Sequence, residues 1–294
     1  MTTETIRVTP YSAAVGAVIE GVDLSSPPSE LAMQKLRAAL RDHGVIFIPG
    51  QKITPEQHLA FARQWADIDV NRFFTAVPDH PEIAEVRKEP GQVTNIGGNW
   101  HTDHSYDLEP AMGSILLARE LPPSGGDTLF ANLSAAFDAL SPGLKQMLRG
   151  LSAVHSSRHV FGAEAGYSRN AEIKGRIGNA EKVTPDVVHP VVIRHPDSGR
   201  EVLYVNLAFT LRFEDWTVQE SEPLLQYLYR HASRPEFTCR FKWTEGAIAF
   251  WDNRSTWHYA MNDYHGNRRL MHRITVRGSA IAGSHWLDQQ KTAA

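Results

Sequence analysis

Arg268-Arg269-Leu270-Met271-His272-Arg273-Ile274-Thr275-Val276 decides how this chain folds. Successive side chains of a strand point to opposite faces. Arg269, Met271, Arg273 and Thr275 therefore share one face, and Leu270, His272, Ile274 and Val276 share the other. A lone arginine on a strand is usually an exposed edge device. Two guanidiniums bracketing an otherwise apolar run instead line a polar cavity in a strand covered on both sides, and they require carboxylate, sulfonate or phosphate partners. Short runs of the same β type recur upstream: Ile83 to Arg87, Met112 to Arg119, Thr128 to Ala131, Val187 to Arg194, Val202 to Leu207, Phe237 to Trp243 and Ala247 to Trp251. So many short strands, separated by turn signals such as Pro122 to Asp127 and Pro196-Asp197-Ser198-Gly199, predict a sandwich or barrel.

Helices flank that β region. Ser29 to His43 carries Leu31, Met33, Leu36, Ala39 and Leu40 on a helical stripe ended by Gly44, and it feeds the buried run Val45 to Ile48. Thr54-Pro55-Glu56-Gln57 opens a second helix with a capping box and a proline in its first turn. Two more helices are expected around Ser134 to Leu140 and Val218 to Ala232. Ser156 to Pro185 is polar, contains glycine and lacks periodicity, which marks a candidate lid. No shift of composition divides the chain, so residues 1 to 294 read as one domain.

Composition narrows the function. Thirty Lys and Arg against thirty-three Asp and Glu give a net charge of −3 over 294 residues with no long run of either sign. That argues against nucleic acid and membrane surfaces as partners and favours small-molecule chemistry. The single cysteine, Cys239, excludes an intramolecular disulfide and a CxxC knuckle and fits a reducing, cytoplasmic setting. Fourteen histidines direct the search for chemistry, because imidazole is the commonest metal ligand.

In Asn99-Trp100-His101-Thr102-Asp103-His104, which follows Gly97-Gly98, positions i and i+2 of an extended segment face the same side. His101 and Asp103 can then aim an imidazole and a carboxylate at one point. An isolated His-x-Asp is common by chance, and its Asp is often a turn residue. A third ligand could come from His258, just beyond the apolar run Ala247 to Trp251. Two histidines and a carboxylate on one face leave the opposite face open for a bidentate co-substrate and dioxygen, the arrangement of non-haem Fe(II) oxygenases.

Seven blocks in order then give the chain a family resemblance: Gly16 to Leu24, Trp100 to Asp103, Gly125 to Thr128, His189 to Val192, Tyr204 to Asn206, Trp251 to Arg254 and Arg269 to Arg273. With these the chain resembles the taurine dioxygenase family of Fe(II)- and 2-oxoglutarate-dependent oxygenases, which includes alkylsulfatase-type and aryloxyalkanoate dioxygenases. The resemblance implies a mainly β fold with flanking α-helices, a double-stranded β-helix (jelly-roll, cupin-like). It implies His101, Asp103 and His258 as iron ligands and catalytic residues, with 2-oxoglutarate and dioxygen as co-substrates. It places the far carboxylate of 2-oxoglutarate on Arg269 and Thr128. It places a small anionic organic substrate on Arg273, with His104, Tyr106 and Phe209 around it. The expected reaction is hydroxylation with release of succinate and CO2, with C–O or C–S cleavage where the hydroxylated carbon carries such a group. Family members are often dimers or tetramers, so a homo-oligomer is an expectation from the same source.

The chain departs from taurine dioxygenase where that enzyme holds its substrate. Here those regions read Val70 to Thr75 and Asn95 to Gly98, without the histidine and acidic contacts, so an aromatic or alkyl acid fits better than taurine. Leu151 to Gly162, with His155, His159 and Phe161, is more similar to the aryloxypropionate dioxygenases. Two rivals share the residues. A zinc hydrolase using the same His2Asp set predicts activity without dioxygen, and a non-catalytic anion-binding jelly-roll predicts binding without turnover.

Overall fold

The computed structural model describes residues 6 to 284. In it the cationic run is the strand Arg269–Val276, inside a nine-stranded sheet. Gly113–Glu120 and His80–Lys88 flank it, both antiparallel. Beyond Gly113–Glu120 lie Ile248–Asp252, Val45–Ile48, Ala17–Glu20 and Arg7–Pro10. A three-stranded sheet of Thr238–Phe241, Thr128–Asn132 and Thr256–Ala260 packs across from it. The two sheets enclose one core and form the double-stranded β-helix.

Alternation along each strand sorts side chains into two layers. Val45, Phe47, Leu116, Ala118, Ala249, Trp251 and Met271 turn inward and meet Phe130, Cys239 and Phe241 of the smaller sheet. Their neighbours Ile46, Ile48, Ile115, Leu117, Ile248, Phe250, Ile274 and Val276 turn outward, under Met33, Leu36, Leu40, Leu59 and Phe61 of two helices. Those helices are Glu30–His43, capped by Ser29 and stopped by Gly44 at φ 73, and Pro55–Arg63, whose Thr54–Gln57 capping box is formed. A Cβ on Gly44 would lie 2.7 Å from Thr256 Cγ2, so its left-handed turn and its close approach to the smaller sheet both need glycine. Leu133–Asp138 and Val218–Ala232 cover the outer face of the smaller sheet.

Three expectations are corrected. Val187 to Arg194 is not one strand: Val187–Pro190 pairs with Ser152–His155, whereas Val192–Arg194 forms a hairpin with Glu201–Leu203. The change of sheet occurs just after Pro190, which has no N–H to continue a ladder. The run Val202 to Leu207 stops as a strand at Leu203, because Asn206 Oδ1 accepts the N–H of Phe209 and Thr210 Oγ1 accepts the N–H of Asn206. That local turn outcompetes sheet pairing. The helix Pro142–Arg149, capped by Ser141, was not expected. Its Ser-Pro start is nevertheless an ordinary opening signal. Segment 156 to 185 contains the short helices Arg158–Phe161 and Gly166–Arg169 and a 3-10 turn, Ala180–Lys182. Among the described residues no helix is long and apolar enough to cross a membrane.

Within the helix Pro55–Arg63, His58 is fully buried and neither ring nitrogen has a partner. Burial and the nearby Arg119 charge lower its pKa to about 3, and the same two causes lower His272 to about 4. Both histidines stay neutral when folded and take up protons when unfolded, so stability is full above the ordinary histidine pKa and falls as pH drops toward these folded values. Each should remove about 1.4 kcal/mol of unfolding free energy per pH unit between roughly pH 6 and 4. Denaturant melts of wild type and His58→Leu across this range should show the variant losing stability less steeply; parallel slopes would contradict the assignment.

Candidate active site

The residues of the His-x-Asp motif and His258 are brought together by a single antiparallel bridge. His101 N–H donates to His258 O at 3.1 Å and His258 N–H donates to His101 O at 2.9 Å, which sets the two imidazoles side by side with centroids 4.0 Å apart. Gly97 precedes them at φ 79, and a Cβ there would lie 3.3 Å from the His101 ring. Asp103 completes the group: Oδ1 is 3.7 Å from His101 Nε2 and Oδ2 is 4.0 Å from His258 Nε2. Ser114 Oγ donates to Asp103 Oδ2 at 2.8 Å, and Thr102 Oγ1 donates to Thr256 O at 2.7 Å. These bonds fix the motif to both sheets.

Protonation suits a metal. His101 Nδ1 lies 2.7 Å from the Asn99 carbonyl, which can only accept, so Nδ1 carries the proton and Nε2 turns its lone pair to Asp103. His258 Nδ1 is buried without a partner. Burial lowers both histidines below the usual range, against the opposing pull of Asp103. For Asp103 burial acts upward, but Arg273 and the two histidines outweigh it and hold the carboxyl below the usual carboxylate range. Two neutral imidazoles and a carboxylate are the donor set a divalent cation needs. The ligand atoms of the three residues lie within 4.8 Å of one another.

Around this group opens a cavity of about 370 Å³. At one end Arg269 is 5% exposed, with Nε and Nη2 unpartnered. Its guanidinium lies over the Trp243 and Tyr264 rings, at 5.8 and 6.0 Å. Trp243 Nε1 donates to Thr128 Oγ1 at 3.0 Å, which leaves the Thr128 hydroxyl proton for another acceptor. A Cβ on Gly126, at φ 72, would lie 3.1 Å from Arg269 Cδ, so glycine here makes room for the arginine stem. A buried fork with free donors beside a free hydroxyl is a donor set that a carboxylate would satisfy. Nearer the metal group, Arg273 Nη1 is 3.4 Å from both Asp103 oxygens, and its guanidinium lies 4.4 Å from the Phe74 ring centroid.

Tyr106 and Phe209 line the cavity and pack at 4.7 Å within an apolar cluster that includes Phe73 and Phe161. His104 is corrected: it is buried but does not line the cavity. Its backbone is left-handed at φ 60, its Nδ1 pairs with Asp107, and its Nε2 meets Asn71 Nδ2 at 3.3 Å. Arg72 also pairs with Asp107. Lys88, Arg176, Tyr264 and Ser114 were missed by sequence reasoning. Lys88 had a usable signal, since a lysine at the end of a strand beside Arg269 shares its face. Among the described residues two other acidic clusters could hold a cation, around His104 and around His195. Each already has an arginine paired to its carboxylates, Arg72 in the first and Arg254 in the second.

The chain is similar to known proteins along most of its length. An alkylsulfatase of Acinetobacter baylyi is 33% identical over 99% of this chain and 90% of that protein. An alpha-ketoglutarate-dependent sulfate ester dioxygenase of Pseudomonas putida is 31% identical over 95% of this chain and 91% of that protein. The crystal structure of a putative alpha-ketoglutarate-dependent taurine dioxygenase from Burkholderia xenovorans superposes with a TM-score of 0.82 at 35% identity, covering 96% of each chain. The structure of AAD-2 in complex with Mn(II) and N-oxalylglycine superposes with a TM-score of 0.76 at 29% identity, covering 94% of this chain and 98% of the other. The family model for taurine catabolism dioxygenase TauD, TfdA family, matches residues 7 to 275, and the chain belongs to that family.

Proposed function

We propose that the protein is an Fe(II)- and 2-oxoglutarate-dependent dioxygenase that hydroxylates a small anionic organic substrate. The observation that carries this reading is the placement of two charge-specific sites in one cavity: the His101, Asp103, His258 donor set, and the buried, unpartnered fork of Arg269 beside Thr128. When bound, Fe(II) and 2-oxoglutarate supply the activation of dioxygen, one oxygen atom entering a substrate C–H bond and the other entering succinate as CO2 leaves.

The chain's own share is holding and positioning. His101, Asp103 and His258 hold the metal. Arg269 and Thr128 hold the far carboxylate of 2-oxoglutarate. Arg273 holds the substrate's anion and so fixes which carbon faces the metal. Tyr106, Phe209 and Phe161 wall the organic part, and segment 156 to 185 closes the cavity to water as a lid. The relatives named for alkyl sulfate and sulfate ester chemistry favour a sulfate ester among the anions. Hydroxylation of the carbon bearing the ester oxygen gives a product that collapses to a carbonyl compound and sulfate. A zinc hydrolase would leave Arg269 and Thr128 without a role.

The test is anaerobic. Fe(II) and 2-oxoglutarate together should give a weak visible absorption band with wild-type protein and none with Asp103→Ala; admission of oxygen with a sulfate ester should yield succinate. No band and no succinate from folded, iron-loaded protein would overturn the reading. Arg273→Ala should raise the substrate KM by roughly thirtyfold or more, as expected when a buried charged contact is truncated, with 2-oxoglutarate affinity retained. An equal loss in both affinities would contradict the division of the two arginines.

A further inference from the structure

Five arginine and lysine residues line the cavity, against the single carboxylate of Asp103. Arg87 is paired outside it with Glu85 and Glu89. Arg273 meets Asp103, and Arg269 is assigned to 2-oxoglutarate. Lys88 and Arg176 remain. They are 2% and 4% exposed, and among the described residues neither makes an ion pair. Lys88 Nζ donates to Asn262 Oδ1 at 2.5 Å and lies 4.4 Å from the Tyr264 ring centroid. Arg176 Nη1 donates to Thr94 O at 3.2 Å, and its Nε is buried with no partner. Glu172, whose charge reaches both, turns its Oε2 to the backbone N–H groups of Val93 and Thr94. Burial, then the neighbouring Arg176, draws Lys88 below the usual lysine range. Two neighbouring buried cations with no carboxylate in contact are costly to keep, and an acidic ligand relieves that cost.

Their position separates them from the Arg273 site, and Arg269 beside them is taken up by 2-oxoglutarate in the oxygenase reading. Lys88 is the cross-strand partner of Arg269, and Arg273 lies four residues farther along the same strand. At about 3.3 Å per residue this puts the backbones at the two ends about 13 Å apart, too far for one small acid group to meet both. Arg176 comes from the 156 to 185 segment and is tied to Thr94, so the pair lies where that segment meets the 94 to 97 loop, beside Tyr167, whose hydroxyl accepts the Gly97 N–H.

We propose that Lys88 and Arg176 form a second anion subsite, and that the preferred substrate is a dianion carrying one acid group at Arg273 and another at this pair. The proposal rests on the oxygenase reading for what Arg269 and Arg273 hold. A carboxylate, sulfonate or sulfate satisfies the pair, because each presents several acceptor oxygens to an ammonium and a guanidinium.

Calorimetry on protein loaded with Mn(II) and N-oxalylglycine tests it, with adipate, suberate and sebacate set against hexanoate, octanoate and decanoate. Wild type should bind the best diacid about tenfold or more tightly than the monoacid of equal length, the worth of one charge-assisted contact. Lys88→Met and Arg176→Gln should each bring that ratio to within about threefold, leaving monoacid binding and N-oxalylglycine affinity unchanged. Equal binding of mono- and diacids by wild type would overturn the subsite, as would a ratio that survives both substitutions. Weakened N-oxalylglycine binding in the variants would assign the pair to the co-substrate and also overturn it. Succinate formation by wild type is scored separately. Its absence would overturn the oxygenase reading, while a diacid preference lost in both variants would still support the subsite.

Discussion

Arg269→Met is expected to raise the 2-oxoglutarate KM by roughly thirtyfold to several thousandfold, the equivalent of about 2–5 kcal/mol for truncating a buried charged contact. The same substitution should leave the ligand-free protein no less stable, and more stable by up to about 4 kcal/mol, because an apolar side chain replaces a buried cation whose Nε and Nη2 have no partner. The methionine would pack where the guanidinium now lies over Trp243 and Tyr264. Adding 2-oxoglutarate should reverse the order. Wild type gains about 2.7 kcal/mol at a hundred times its Kd, whereas the variant gains little at the same concentration. Arg269→Lys should fall between them, since it keeps the charge but not the planar fork. Succinate assays across 2-oxoglutarate concentrations and thermal melts with and without it read both effects. An unchanged KM would remove Arg269 from the co-substrate site, and a destabilised ligand-free variant would show that the cation has a partner within the fold.

This combination of charge and burial is also why the candidate site was legible in the sequence. The alternation of Arg269, Met271 and Arg273 against Ile274 and Val276 can be read without a structure, because a strand's period of two is local, and both faces are where it puts them. His101 and Asp103 are equally local. His258 is not: 155 residues separate it from Asp103, and only the bridge between the two histidine segments puts it there. His104 shows the limit of local reasoning. Its place after Asp103 suggested a cavity role, but a positive φ and the acceptor Asp107 turn it the other way. Arg176 was illegible for a related reason, since the 156 to 185 segment has no periodicity to orient a side chain and its place depends on bonds to Thr94 and Thr75. The strand break at Val191 reflects a choice between two sheets, which propensity does not encode.

Asp103→Asn is expected to abolish specific metal binding and bring turnover to background, whereas Ser114→Ala should cost only about ten- to a hundredfold in metal affinity, the usual worth of a partner behind a ligand. Asp103 is the only carboxylate in the donor set, and it supplies the negative charge that two neutral imidazoles cannot. Ser114 Oγ orients that carboxylate from behind through its 2.8 Å bond and contributes no charge. Stability separates two further consequences. In the metal-free protein Asp103 faces Arg273 at 3.4 Å, so the asparagine leaves a buried guanidinium without its anion and should lower the unfolding free energy by about 3–5 kcal/mol. Adding Arg273→Met to Asp103→Asn should restore most of that loss without restoring metal, because the double variant removes the unpaired charge but not the missing ligand. Denaturant melts of the two single variants and the double variant, with metal content by elemental analysis, complete the cycle. Additive stability losses would mean that the carboxylate and the guanidinium do not share an electrostatic interaction. Retained stoichiometric metal in Asp103→Asn would place the cation elsewhere in the cavity.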